Sequence, residues 1–68
     1  MELRDQMIAA ATKHAEAEIE LHKTNIEVYM QKVVGIGEHS DIIETIQKEL
    51  DAMACAQDRM DMLQKYFA

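Results

Sequence analysis

Apolar side chains recur along this sequence at alternating steps of three and four residues, first up to residue 33 and again from residue 43. This spacing places about one side chain per turn on one face of an α-helix. We call these positions the inner stripe. They are Ile8, Thr12, Ala15, Ile19, His22, Ile26, Tyr29 and Val33 in the first run, and Ile43, Ile46, Leu50, Met53, Gln57, Met60, Gln64 and Phe67 in the second. The two runs predict two amphipathic helices and an all-α fold.

The gap between the two runs contains the only glycines of the chain, Gly35 and Gly37. Glycine readily adopts the left-handed conformation that ends a helix and lets the chain reverse. We predict helix 1 at about residues 3–34, a turn at about 35–40 and helix 2 at about 41–66, in one domain covering residues 1–68. Because short connections join antiparallel neighbours, the prediction is an antiparallel two-helix hairpin.

Helix 1 carries a second apolar line that is turned away from the inner stripe. This outer line consists of Met7, Ala10, His14, Ala17, Leu21, Thr24 and Val28. One hairpin cannot bury both lines, so we predict that two copies assemble as a homodimeric four-helix bundle. The predicted interface residues are Met7, His14, Ala17, Leu21 and Val28 on helix 1, with Ile42, Ala56 and Leu63 on helix 2. The alternative is a single hairpin whose outer line is covered by a helix of another protein.

Chain length, cysteine content and charge limit how the fold can be stabilised and which partners it can bind. The chain has 68 residues, fewer than the roughly 70–80 at which one core usually gives comfortable stability. A disulfide within the chain is excluded, because Cys55 is the only cysteine. Thirteen acidic against seven scattered basic side chains give a net charge of −6, which argues against nucleic acid or an anionic membrane as partner. No apolar run approaches the length of about 20 residues that spans a bilayer, so we expect a soluble cytoplasmic protein.

One group of side chains has ligand chemistry. His14, Glu18 and His22 are four residues apart, which places three possible metal ligands along one side of helix 1. Helix 2 offers no obvious complementary ligands, and the spacing is not the Glu-x-x-His of a di-iron site. We therefore favour polar histidines that fix the pairing of the helices, and we expect no cofactor.

Cys55 falls on the outward side of helix 2, in an alanine-rich stretch without a neighbouring histidine or base. A catalytic thiol needs such a neighbour. The Gly35–Gly37 segment follows a helix and lacks the lysine of a phosphate-binding loop. We expect no catalytic residue and no enzymatic activity.

The leading hypothesis is thus a non-enzymatic helical oligomer that acts through protein–protein interaction as a regulator, adaptor or assembly factor. In size and topology the predicted bundle resembles the small plasmid copy-number regulator that binds paired RNA loops, which makes RNA binding an alternative, although no RNA-contacting residue can be matched. A metal-binding bundle using the face of His14, Glu18 and His22 is a third hypothesis. The short, methionine-containing hairpin is also similar to small proteins encoded by phages.

Overall fold

The computed structural model describes residues 2–31 and 39–68. Within those ranges the chain forms two α-helices, α1 (Leu3–Gln31) and α2 (His39–Tyr66), and no strand. The side-chain bonds between them run in opposite directions along the two helices, since Glu18 bonds Arg59 whereas the later residue His22 bonds the earlier residue Glu49. The predicted all-α helical hairpin is confirmed.

The helix boundaries agree closely with the sequence patterns where they can be compared. α1 begins at Leu3 and α2 ends at Tyr66, as predicted. α2 begins at His39, about two residues before the predicted start, a difference of the size common at helix ends. The predicted end of helix 1 near residue 34 and the Gly35–Gly37 turn lie outside the described residues. In the described ranges, neither helix combines the length and the apolar character needed to cross a bilayer.

The inner side of α1 follows the predicted stripe. Ala15 and Ile26 are buried, and Ile8 and His22 are half-buried. Thr12 is tolerated on this side because its hydroxyl donates a hydrogen bond of 2.8 Å to the carbonyl of Ile8 in the preceding turn. The period of the hydrophobic pattern was therefore sufficient to identify the inner face of this helix.

The inner side of α2 is turned by about one residue from the predicted stripe. Ala56 is buried, whereas Gln57 is exposed, and Glu49 is half-buried, whereas Leu50 is exposed. The small side chain of Ala56 allows α1 to approach closely, and Glu49 faces inward because it bonds a side chain of α1. The half-buried positions of α2 are Ile42, Thr45, Ile46, Glu49, Ala52, Met53, Met60 and Leu63.

This rotation affects three predicted interface residues. Ala56 has 0% of its surface exposed in the single hairpin, so the prediction that it contacts a second chain is wrong. Ile42 and Leu63 are half-buried and keep part of their surface. Their contact with a second chain stays a prediction.

The core of the hairpin is thin. Among the described residues only Ala15, Ile26 and Ala56 are buried hydrophobic side chains, and two of these three are alanines. The chain is elongated, with extents of 53 × 17 × 11 Å, and exposes 5292 Å² of accessible surface. Two helices side by side can bury only one strip each, so most of the larger apolar side chains remain at the surface.

Candidate interaction surface

The outer line of α1 forms an exposed apolar face, which we call the α1 face. Leu21 and Val28 are 56% and 45% exposed, and Met7 is 64% exposed. Leu3 extends the same line by one turn toward the N-terminus and is also exposed. Ala17 and His14, the other predicted interface residues of this helix, lie at the surface as well. The structure thus places all five predicted α1 interface residues where a second chain can reach them.

Two open grooves continue the α1 face at the end of the hairpin where the chain termini lie. They have volumes of about 530 and 580 Å³ and share Ala11, Leu63 and Phe67. The remaining lining residues are His14, Ala15, Cys55, Asp58, Arg59 and Met62 in the smaller groove, and Leu3, Arg4, Met7 and Ile8 in the larger. Grooves of this kind arise because the alanines of α1 do not fill the space beside Phe67. Both grooves are open to solvent, and their linings are mainly apolar.

A polar bridge crosses the hairpin beside the smaller groove. The guanidinium of Arg59 donates a hydrogen bond of 3.0 Å to Glu18 Oε2, and His14 Nδ1 lies 2.8 Å from Glu18 Oε1. The hydrogen bond from Arg59 lowers the pKa of Glu18, against the opposing effect of desolvation, and the same bond raises the pKa of Arg59. The bridge joins α1 to α2 and keeps both side chains charged.

A second polar cluster lies deeper, about one turn along α1 from the first. His22 Nδ1 is 2.6 Å from Glu49 Oε2, and Asn25 Nδ2 donates to both oxygens of Glu49 at 3.2 and 3.3 Å. The hydrogen bond with His22, and then that from Asn25, lowers the pKa of Glu49. Both side chains of the pair are less than one-fifth exposed. The cluster fixes how α2 is rotated against α1.

The sequence pattern did not single out Glu49, Arg59 or Asn25. For the two residues of α2, the missed signal is the spacing from Ala56. Arg59 is three residues and Glu49 seven residues from Ala56, and positions at these distances lie on the same side of a helix. Had Ala56 been recognised as the close contact of α2, Glu49 and Arg59 would have been predicted to face α1.

The histidines of α1 do not converge on one point. His14 lies beside Glu18, whereas His22 is turned toward Glu49 of the other helix. Across residues 2–31 and 39–68, no group of three or more His, Cys, Asp or Glu side chains is arranged to hold a metal ion. The interpretation of His22 as a polar side chain that fixes helix pairing is the one that its contacts support.

Cys55 is exposed and lines the smaller groove together with His14 and Arg59. Arg59 lies one turn further along α2 from Cys55, and His14 lines the same groove from α1. Any chain that covers the smaller groove would therefore also cover this thiol.

The basic side chains that an RNA surface would need are partly engaged elsewhere. Arg4 donates a hydrogen bond of 2.8 Å to the carbonyl of Phe67, and Arg59 is held by Glu18. Lys13 and Lys23 are exposed but have Glu16, Glu20 and Glu27 on the same helix. Phosphate binding requires several bases free on one surface, and nothing in the described contacts gathers them.

The chain matches no protein-family model, and no curated protein or solved structure is significantly similar to it. The exposed face, the grooves and the polar clusters are therefore the observations from which a function can be argued.

Proposed function

We propose that this chain is a non-enzymatic protein that acts through protein–protein contacts, as a small regulator, adaptor or assembly factor, and that two hairpins associate as a homodimeric four-helix bundle. The observation that supports the proposal is that the hairpin exposes more surface than a compact monomer of the same mass. The hairpin exposes 5292 Å², about 900 Å² more than a compact monomer of its mass, for which about 4,400 Å² is usual.

The size of this excess matches a dimer. Two chains that each cover about 900 Å² would form an interface of about 1,800 Å² in total, within the range of stable protein–protein interfaces. Alone, the hairpin buries only about half of the surface of its extended chain, whereas covering the excess would bring each chain to about 60 per cent, the usual value for its size. One extra interface is thus enough to complete the fold.

The α1 face is the surface best suited to a second copy. It runs along most of α1, from Leu3 to Val28, and in a two-fold dimer the same line is supplied by both partners. Charges of both signs border it on α2, where the exposed residues Lys48 and Arg59 lie on the same side of the helix as Asp51 and Asp58. Mixed charges allow pairing between identical chains without net repulsion.

Apolar grooves also support a binding role over catalysis. Acid–base catalysis needs titratable groups held in a pocket with shifted pKa values, whereas the larger groove is lined mainly by Leu3, Met7, Ile8, Leu63 and Phe67. We place the protein in the cytoplasm, where its single thiol would stay reduced.

The test is the solution mass by sedimentation equilibrium over a wide range of concentrations. We expect twice the chain mass of 7.8 kDa. The Leu21→Asp substitution should give a folded monomer, because pairing would bury an uncompensated charge in the interface. Lys13→Ala, at an exposed position, places no charge in the interface and should leave the mass unchanged. A wild-type chain that is monomeric at high concentration, or a dimer that Leu21→Asp does not weaken, would contradict the proposal.

A further inference from the structure

A second apolar surface lies on α2. It consists of residues that the sequence pattern assigned to the inner stripe, but the observed rotation of α2 leaves them partly or largely exposed. Ile43 and Leu50 are 58% and 43% exposed, and Ile46 and Met53 between and after them are half-buried. These four residues, at steps of three and four, define what we call the α2 face. They extend over eleven residues, or about 15 Å of helix from the first to the last. The α2 face is thus a continuous ridge about three turns long.

The α2 face and the α1 face lie on opposite sides of the hairpin. Successive side chains turn by about 100° around a helix, so Leu50 lies about 120° from the buried Ala56 in one direction and Met62 about 120° in the other. Met62 lines the smaller groove together with Ala11 and His14, which places it on the side of the α1 face. A dimer formed through the α1 face would therefore leave the α2 face open.

The charges beside the two faces differ. On α1, the residues that border the α2 face include Glu16, Glu20 and Glu27, all exposed, with Lys23 between them. A second copy docked here would bring the same acidic border close to itself, and like charges weaken association. A partner that carries basic residues along its edge would neutralise the border.

We propose that the α2 face binds an amphipathic helix of a different protein, with an apolar stripe that packs on Ile43, Ile46, Leu50 and Met53 and a Lys/Arg-rich edge that lies along Glu16, Glu20 and Glu27. This is the mode in which a helix lies in a groove and presents apolar side chains at helical spacing. It deepens the proposed function by naming the partner class, and it rests on the interaction role but not on dimer formation.

The experiment uses two synthetic peptides of about 18 residues, a length at which helices begin to be stable in water. Both carry the same leucine and alanine stripe, but one has lysine edges and the other glutamate edges. Binding to the full chain is measured by fluorescence anisotropy at low and moderate salt. The lysine peptide should bind at least about tenfold more tightly than the glutamate peptide, and less so as salt screens the charges.

Variants of the chain locate the binding surface. Leu50→Asp should weaken binding of the lysine peptide by at least about tenfold, since a charge would interrupt the ridge. If circular dichroism shows that this variant is not helical, Ile43→Glu at a more exposed position provides the same comparison. Leu21→Asp, on the opposite face, should leave peptide binding unchanged.

A matched pair of triple variants tests the role of charge. Glu16→Gln, Glu20→Gln and Glu27→Gln together should weaken lysine-peptide binding. Glu44→Gln, Asp51→Asn and Asp58→Asn together change the net charge equally, but on the side of α2 that borders the α1 face, away from the α2 face, and should have a smaller effect. Equal losses in both triple variants, or equal binding of the two peptides, would overturn the inference.

The outcomes separate this inference from the dimer proposal. If Leu50→Asp does not weaken peptide binding while Leu21→Asp still dissociates the dimer, the α2-face partner is wrong and the dimer stands. If the wild-type chain is a monomer that nevertheless binds the lysine peptide through Leu50, the dimer is wrong and the partner stands. Assembly into a tetramer that Leu50→Asp reduces to a dimer would show that a second copy occupies the α2 face, and would overturn the inference.

Discussion

The middle of the hairpin and its open end differ in how completely they are packed. In the middle, Ala15 and Ala56 are buried, and the bonds of Glu18 with Arg59 and of Glu49 with His22 connect the helices. At the open end, the side-chain bond recorded between the helices runs from Arg4 to a backbone carbonyl, and two grooves lie beside large exposed side chains. The middle holds the helices in register, whereas the open end leaves apolar surface without cover.

This difference indicates which part of the chain specifies the hairpin and which part is left for association. Small side chains and paired polar groups fix one rotation of α2 against α1, because any other rotation would leave Glu49 without its partners. The open end uses larger, more flexible side chains such as Met7 and Met62, which adapt to an incoming helix. The following predictions test whether the two regions are separable in this way.

The largest effect is expected from placing a charge in the middle. Ala56→Asp would bury an unpaired carboxylate at a position with 0% exposure, at a cost of at least about 3 kcal/mol. A chain of this size rarely has more stability than about 3–5 kcal/mol, so the helices should be lost at all temperatures. Circular dichroism measures the loss of helix directly.

The matched control is Ala54→Asp, which makes the same change two residues earlier on the exposed side of α2. It should cost less than about 1 kcal/mol, the difference in helix propensity between the two residues. Similar losses of helix in the two variants would mean that the middle is not the region that holds the hairpin together.

The sequence predicted the existence, order and pairing of the two helices, because the apolar period extends over most of the chain and the glycines interrupt it once. It also predicted the inner side of α1 as far as Ile26, whereas Tyr29, assigned to the same stripe, is 37% exposed. It failed on the rotation of α2, because the choice between Leu50 and Glu49 as inner residue is made by partners on the other helix. Hydrophobicity favours Leu50, but the pairing of Glu49 with His22 and Asn25 prevails.

Of the two apolar surfaces, the sequence predicted the one on α1 and missed the one on α2. The outer line of α1 depends only on the period within one helix, so Met7, Leu21 and Val28 were correctly placed at the surface. The α2 face could not be predicted, because it consists of residues that the pattern assigns to the inside. Because α2 is rotated by about one residue from the predicted orientation, Ile43 and Leu50 lie at the surface and Ile46 and Met53 are only half-buried.

A smaller effect is expected from the polar pairs of the middle as the pH falls. The pKa of Glu49 is lowered from its ordinary value of 4.5, so the folded chain binds this proton less readily than the unfolded chain. The contribution to stability is therefore present above about pH 4.5 and is lost as the pH falls through the lower pKa of the folded state. The pKa of Glu18 is also lowered, so its protonation adds to the loss of stability at acid pH.

Urea unfolding at a series of pH values from about 3 to 7 measures this dependence, with the midpoint falling on the acid side of about pH 4.5. Glu49→Gln should lower stability at neutral pH and flatten the acid dependence. Glu16→Gln, an exposed position, should leave the wild-type dependence in place. A Glu49→Gln variant with an unchanged acid slope would show that the pairing with His22 does not contribute to stability.

The smallest effect concerns the smaller groove, which extends from the open end to Ala15 in the middle, and leaves folding unchanged. Cys55 is exposed in the single hairpin and lines the smaller groove, so a second chain on the α1 face would shield its thiol. We expect Cys55 to react with a small aromatic disulfide reagent several-fold more slowly in the wild-type dimer than in Leu21→Asp, since reactivity requires access to the thiolate. Leu50→Asp, on the α2 face, should react at the wild-type rate. The rate at which the reagent releases its thiolate is measured at protein concentrations above and below the dissociation constant of the dimer.

If a dimer forms and Cys55 nevertheless reacts at the monomer rate, the two chains pair through a surface that leaves the groove open. The open end would then remain the free surface of the assembled protein.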